Sequence, residues 1–547
     1  MRSSNTTVVS PEDDVIFDLP ARARAAAIQM TEWRSVTGTP GECDFPHLLK
    51  TMLAQDRYFH LHPEHLRVQP LDDGTARSNL LALVKGEGRR TVVLAGHFDT
   101  VPFDDYAELA PFACDPETLL PLIIDKLKRT GEDPQALADL LSGDYLPGRG
   151  LLDMKAGIAA GIAVLEAFAA QNHRQGNVLL LATPDEEDRS AGMRKAATLL
   201  PEIARESGLD IDLVINLDSI ADDGDGSFGR SVTMGSIGKL LLTALVIGRE
   251  AHACYPFAGI NANYLAGELL GELECAPELA ETSGHEIAAP PTALYVKDVK
   301  AGYNVTTPAR IFLYWNTLQH RRGPAEVLNI ATGMARAAME RAVSRLKQRA
   351  QTVSPPQPFG AESVAVLSYG ELLAQARKSD PDFEASLELL NRELSERQDL
   401  DFPARARLVT EFVWAATKLP GPAVILGFGS LPYPAVTLKD EALAERLMGV
   451  LGAAAAEKGT SVSRLSYFPG ISDMSFLGEA SGDLAVAEAN TPIWGASFEL
   501  APSPAYPVIN IGPWGRDYHH WLERLHTPYA FDVLPLLVLR ATKAALE

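Results

Sequence analysis

Three short apolar runs, at 92–95, 178–182 and 213–217, each end in acidic residues or histidine: Gly96-His97-Phe98-Asp99, Thr183-Pro184-Asp185-Glu186-Glu187-Asp188 and Asp218-Ser219. Runs of this length read as buried strands, and helical stretches lie between them. Strand alternating with helix predicts an α/β fold with a doubly wound sheet. In such sheets a ligand sits beyond the carboxyl ends of the strands, where these polar endings converge. A strand ending in His-x-Asp also puts both side chains on one face, so an imidazole can bind a metal while a carboxylate fixes its ring.

Each piece has an ordinary explanation when taken alone. His97-x-Asp99 is then strand-end packing. Asp153, in Gly148-Arg149-Gly150-Leu151-Leu152-Asp153-Met154-Lys155, caps the Ala-rich helix from Ala156 to about Ala170. The acids at 185–188 form a solvated turn. Together they are hard to obtain by chance, and carboxylate plus imidazole donors suit divalent zinc, manganese or cobalt.

The rest of the chain frames this set. Residues up to about Pro11 are polar and are expected to be frayed. Arg22 to about Thr37 reads as a helix. The cluster His60-Leu61-His62-Pro63-Glu64-His65 is expected to be a solvated turn where a helix gives way to a strand. The stretch Phe103 to Leu146 reads as an insertion over one rim of the site. From Gly235 a new unit begins, with strands at Lys239–Gly248 and Arg310–Asn316 and helices ending near Leu273 and spanning Ala325–Arg349. Ser354-Pro355-Pro356-Gln357-Pro358 marks the return. Strands at 423–426 and 507–511, a helix from Glu441 to Lys458, a turn at Phe468–Asp473 and a closing helix from Leu534 to Leu546 follow. The expected division is a first catalytic part at 1–234, an inserted α+β unit at 235–352 and a second catalytic part at 353–547.

A chain of 547 residues exceeds one ordinary core. Its net charge of −22 argues against nucleic acid or an anionic membrane surface as partner. Four cysteines without a CxxC pair make no disulfide framework. With no secretory start and no apolar run long enough to span a bilayer, the expectation is a cytoplasmic protein.

In this order the motifs resemble the M20 family of metallopeptidases and amidohydrolases. The matching pieces are His97-x-Asp99, Gly148-Arg-Gly-x-x-Asp153-Met-Lys, Glu186-Glu187, Asp218, and His519 followed four residues later by Glu523. Gly248 to Ala262, with Ala251-His252 and Pro256, is similar to the signature of the family's inserted lid. The long insertions and the ending Gly512-Pro-x-Gly-x-Asp-x-His519 look most like the branch that contains the arginine-utilisation protein RocB. The resemblance implies two divalent metal ions, zinc foremost, with Asp153 between them. His97 and Asp218 would complete one ion and Glu187 and His519 the other. Asp99 would orient His97, and Glu186 would act as general base. It further implies a homodimer through the lid, in which His252 reaches the other subunit's site, and a small amide or peptide substrate, with arginine or other amino-acid catabolism as the setting. Asn304 matches the substrate-binding part of the lid. Leu318 stands where relatives carry a carboxylate-binding arginine, and Arg321 or Arg322 is the candidate replacement.

An M28-type aminopeptidase uses similar ligands in similar order, but the inserted Ala251-His252 and Pro256 segment counts against it. A catalytically silent relative that binds a metabolite would have no reason to keep Glu186 together with all five ligands.

Overall fold

The computed structural model describes residues 17–547 except positions 284, 285, 301, 361, 362, 380, 398 and 483. The expected frayed start therefore lies outside the described residues. The chain forms two compact units, one of Met1–Ser236, Val436–Glu479 and Ala501–Glu547, the other of Ile237–Ala435 and Ala480–Leu500.

The first unit is built on an eight-stranded sheet ordered Leu66–Pro70, Ser78–Lys85, Gln175–Thr183, Glu87–His97, Asp210–Asn216, Val508–Ile511, Ser231–Thr233, Ser463–Leu465. The four strands from Gln175–Thr183 to Val508–Ile511 run parallel. They are covered on both faces, which is why they read as unbroken apolar runs rather than alternating ones. On one face Val92, Leu94, Val178, Leu180, Leu213 and Ile215 share a core with the helices Leu19–Glu32, Ala156–Ala169, Glu441–Glu457 and Leu534–Leu546. The helix Ala191–Ser207 lies against the other face, near Leu81, Leu83 and Leu179.

Nearly every residue of Ala156–Ala169 is buried, as a helix apolar at every position but the Arg22-paired Glu166 requires. It comes so close to the sheet that a Cβ on Gly157 would stand 2.0 Å from the Leu217 carbonyl oxygen. The expected rim insertion forms the helices Pro116–Thr130 and Pro134–Ser142, whose Leu119, Ile123, Leu127 and Leu140 join the same core.

A second, four-stranded sheet sits at the carboxyl end of these strands. Its order is Tyr145–Pro147, Arg524–His526, Trp514–Arg516, Ile220–Ala221. Arg524 pairs with Pro147, Gly515 with Leu525, and Trp514 with Ile220. Segments far apart in sequence thereby meet: the loop to Asp153, the residues after Asp218, and the hairpin holding His519.

The second unit has a five-stranded sheet ordered Thr292–Asp298, Arg310–Gln319, Gly238–Ile247, Ala423–Phe428, Ala365–Ser368. The helices Ala262–Leu273 and Pro324–Thr352 bury Leu265, Leu269, Leu328 and Ala331 against Leu242, Val246, Leu313 and Trp315. This corrects the expected boundary at 353. Ala423–Phe428 pairs with Leu242–Ile247 over six residues, so the chain returns to the first unit only at Val436. The strand is buried at every position, and such a run does not reveal which sheet it will enter.

Gly157→Ala should force the helix off the sheet and lower stability by about 1–3 kcal/mol, read as a lower urea midpoint for the first unit.

Candidate metal centre

His97 is the last residue of its strand and is 2 % exposed. Its Nε2 lies 3.2 Å from Asp153 Oδ1 and 3.8 Å from Asp218 Oδ1. Its Nδ1 lies 3.1 Å from the Asp99 carbonyl oxygen and 3.6 Å from the Asp99 carboxylate. That carboxylate has further partners. It accepts the N–H groups of Glu186 and Glu187, at 3.1 and 3.2 Å, and the Thr37 hydroxyl at 2.9 Å. Asp99 thus touches the ring mainly through its backbone and holds the acidic loop through its side chain.

Asp153 presents its second oxygen to another imidazole, with Oδ2 3.1 Å from His519 Nε2. Glu187 Oε1 lies 3.1 Å from the same nitrogen. His97, Asp153 and Asp218 form one group of ligand atoms within 4.8 Å of one another, and Asp153, Glu187 and His519 form another. Asp153 belongs to both. Glu186 belongs to neither trio, although its Oε2 is 3.9 Å from His97 Nε2.

The scaffold around these groups is specific. Asn510, on the strand beside Asp210–Asn216, accepts the Asp218 N–H and donates to the Asp218 carbonyl, both at 2.9 Å. A Cβ on Gly512 would fall 1.7 Å from that carbonyl oxygen, so only glycine fits there. Glu523 is fully buried, accepts the Gly150 N–H at 2.9 Å and pairs with Arg149 at 2.7 Å. This explains the His519-to-Glu523 spacing, since one hairpin supplies a ring to Asp153 and a clamp to the loop before it. Of the other histidines nearby, His520 accepts the Leu522 N–H and His526 stacks on Trp514 at 4.5 Å.

Asp473 was expected only as part of a turn. It is 2 % exposed, and its Oδ2 accepts the Thr183 hydroxyl at 3.0 Å. Burial above all raises its pKa to about 7. Nothing in the local pattern marks it, because its burial comes from packing against the end of the Gln175–Thr183 strand.

Burial opposes charge throughout the centre, and the groups respond differently. It works against a charged His97, but Asp153, Asp218 and Asp99 overcome it and hold the ring's pKa well above the usual value. His519 is likewise lifted to about 10 by Asp153 and Glu187 against the cost of burial. The two imidazoles keep Asp153 below the usual carboxylate range despite its burial. Glu186 is pushed well above that range by burial and by repulsion from Asp218, Asp473 and Glu187. A buried site this rich in carboxylates is short of positive charge, and divalent cations between the trios would supply it. Imidazole and carboxylate donors at these separations fit such ions.

The remaining candidates lie in the second unit. His252 is exposed and forms an antiparallel bridge with Thr306. Thr306 donates its N–H and its hydroxyl to Asn304 Oδ1, so His252 and Asn304 share one surface. Arg321 follows the far end of Arg310–Gln319, where its N–H donates to Glu281. Ile247 pairs with Arg310 and Gly238 with Gln319, so about 30 Å of strand separates Arg321 from the His252 end. Within this unit Asn304 and Arg321 thus lie at opposite ends of the strand Arg310–Gln319.

The model of peptidase family M20/M25/M40 matches residues 124–488. The chain belongs to this family. It is 33% identical to the protein YqjN of Bacillus subtilis over 96% of both chains. It is 30% identical to the protein RocB of the same organism over 96% of this chain and 95% of that one. Among solved structures, a tripeptidase from Staphylococcus aureus covers 96% of this chain and 98% of its own, with a TM-score of 0.51 at 15% identity. This M20 chain is therefore a metal-dependent hydrolase of amide or peptide bonds, and the M28 alternative falls away. Among the described residues no helix is long and apolar enough to cross a membrane.

With the His519 ring lifted to about 10 and the His97 ring held above its usual value, metal uptake should release protons, and affinity should rise as pH rises towards about 10. Calorimetry in buffers of different ionisation enthalpy measures this. Binding with no proton release would contradict protonated rings at His97 and His519.

Proposed function

We propose that this M20 hydrolase works through a dinuclear centre in which Asp153 bridges two ions, His97 and Asp218 complete one, and Glu187 and His519 complete the other. Zinc is the proposed native metal, with cobalt or manganese as substitutes. The observation that carries this reading is the division of Asp153's two oxygens between His97 and His519. When bound, the ions lower the pKa of water towards ~7 and polarise the scissile carbonyl.

Glu186 is the general base. It is free of either ligand set, and its backbone is fixed by Asp99. Burial has raised its affinity for a proton, and nearby cations would return it towards the working range. It takes the proton from the attacking water and delivers it to the leaving amine. Asp99 positions both His97 and the Glu186–Glu187 backbone.

His252 and Asn304 act together from the lid of a second copy, His252 as the donor to the developing oxyanion. The strand Thr292–Asp298 supports a dimer. Among the described residues it pairs on one side only, and it exposes Leu294 and Val296, an edge suited to a partner. Leu318 occupies the position of the family's carboxylate-binding arginine, so recognition of a free carboxylate through that strand is not proposed. The resemblance to the RocB branch points to a small amide or peptide of arginine or related amino-acid catabolism. The free cysteines suit a reducing cytoplasm.

Glu186→Gln should keep its metal and lose about 10²–10⁴-fold in kcat, whereas His519→Ala should lose an ion, both read against N-acyl amino acids and dipeptides with elemental analysis. Mixing Glu186→Gln with His252→Ala chains tests the dimer. Mixed dimers have one intact site if His252 acts across subunits, so activity should return. Mixtures as inactive as their parents would contradict that role.

A further inference from the structure

The turn between the helix Arg57–Leu61 and the edge strand Leu66–Pro70 carries His62, Glu64 and His65, which the catalytic centre does not use. His62 Nδ1 lies 3.4 Å from Glu64 Oε1, and His65 Nε2 lies 3.8 Å from the same oxygen. All three ligand atoms fall within 4.8 Å of one another. Around an ion with bonds of about 2.0–2.1 Å, tetrahedral ligands stand roughly 3.3 Å apart. The contacts to Glu64 approach that spacing, and they resemble the 3.2 and 3.8 Å separations that His97 makes in the catalytic centre.

The trio also has the support expected of a ligating set. His65 Nδ1 lies 2.8 Å from the hydroxyl of Tyr58, which is buried and accepts the Lys85 N–H at 2.8 Å. This contact fixes the orientation of the His65 ring, with Nε2 turned towards Glu64. The His62 ring stacks on the His65 ring at 5.3 Å. The backbone is tied by His62 N–H to the Tyr58 carbonyl and His65 N–H to the His62 carbonyl, at 2.9 and 3.0 Å. The side chains of His62 and Glu64 are 45% and 61% exposed, so an ion can enter from solvent. Glu64 and His65 also border a hollow of about 200 Å³ shared with Arg67 and Lys85, which leaves room for water at a fourth position.

We propose that His62, Glu64 and His65 bind a further divalent transition-metal ion of the zinc type, which pins the turn at the edge of the eight-stranded sheet. The solvated turn expected from the sequence is, on this geometry, a three-ligand site. Two imidazoles and one carboxylate favour zinc, nickel and copper over magnesium or calcium. The site is separate from the catalytic centre and does not depend on how that centre is read.

The test uses the full chain, stripped of metal, reloaded with zinc alone, separated from free ion by gel filtration and counted by elemental analysis. Indicator competition gives the affinity. His62→Ala/His65→Ala should carry one zinc fewer than the unmodified chain, and Glu64→Gln should hold that ion at least about tenfold more weakly. His62→Ala alone, a substitution at an exposed ring, gives the same readout should loss of His65 disturb Tyr58. His519→Ala should keep the ion that depends on His62, which supports two separate sites. Equal zinc counts in the unmodified chain and the His62 variants, or an extra ion held only at millimolar zinc, overturn the proposal.

Discussion

A carboxylate buried between two imidazoles is the interaction on which the rest of this structure depends. Asp153 can stay ionised at 8 % exposure only because His97 and His519 each face one of its oxygens. Isolated burial of that charge would cost several kcal/mol. The three groups come from three distant places in the chain. The parallel sheet delivers His97 and Asp218 at strand ends, and the small four-stranded sheet delivers Asp153 and His519. The fully buried Arg149–Glu523 pair joins the hairpin of His519 to the loop of Asp153. Severing that pair would leave a charge uncompensated in the core, so the geometry of the centre and the stability of this corner are set together.

The same economy appears at Asp99. One carboxylate receives two consecutive backbone N–H groups and a hydroxyl, and its own carbonyl meets the His97 ring. The two adjacent glutamates are thereby held on one fixed backbone while their side chains diverge, Glu187 to His519 and Glu186 towards His97 without joining either ligand set. A base that must remain unligated beside a ligand needs such a frame.

Much of this was legible in the sequence, for a physical reason. Strands buried on both faces read as continuous apolar runs, and polar residues at their carboxyl ends stand out against them; this located His97, Glu186, Glu187 and Asp218. The His-to-Glu spacing implied by the family resemblance favoured His519 over His520 and His526, and the hairpin sets His519 beside Asp153 and Glu187 with Glu523 holding the Gly150 loop. What the sequence did not reveal depends on tertiary pairing. Ala423–Phe428 looks the same in either sheet, and only its register with Leu242–Ile247 assigns it. Asp473 lies in an ordinary-looking turn, and its proximity to Thr183 follows from folding alone. Asn304 and Arg321 are 17 residues apart in sequence, yet a strand of ten residues lies between them in space.

The central claim is that Asp153 bridges two ions. Anomalous diffraction from a crystal of the metal-loaded enzyme tests it most directly. The account predicts two peaks about 3.5–4 Å apart, one on each side of Asp153, the first against His97 and Asp218 and the second against Glu187 and His519. A single peak, or a pair that leaves one Asp153 oxygen uncoordinated, would contradict it.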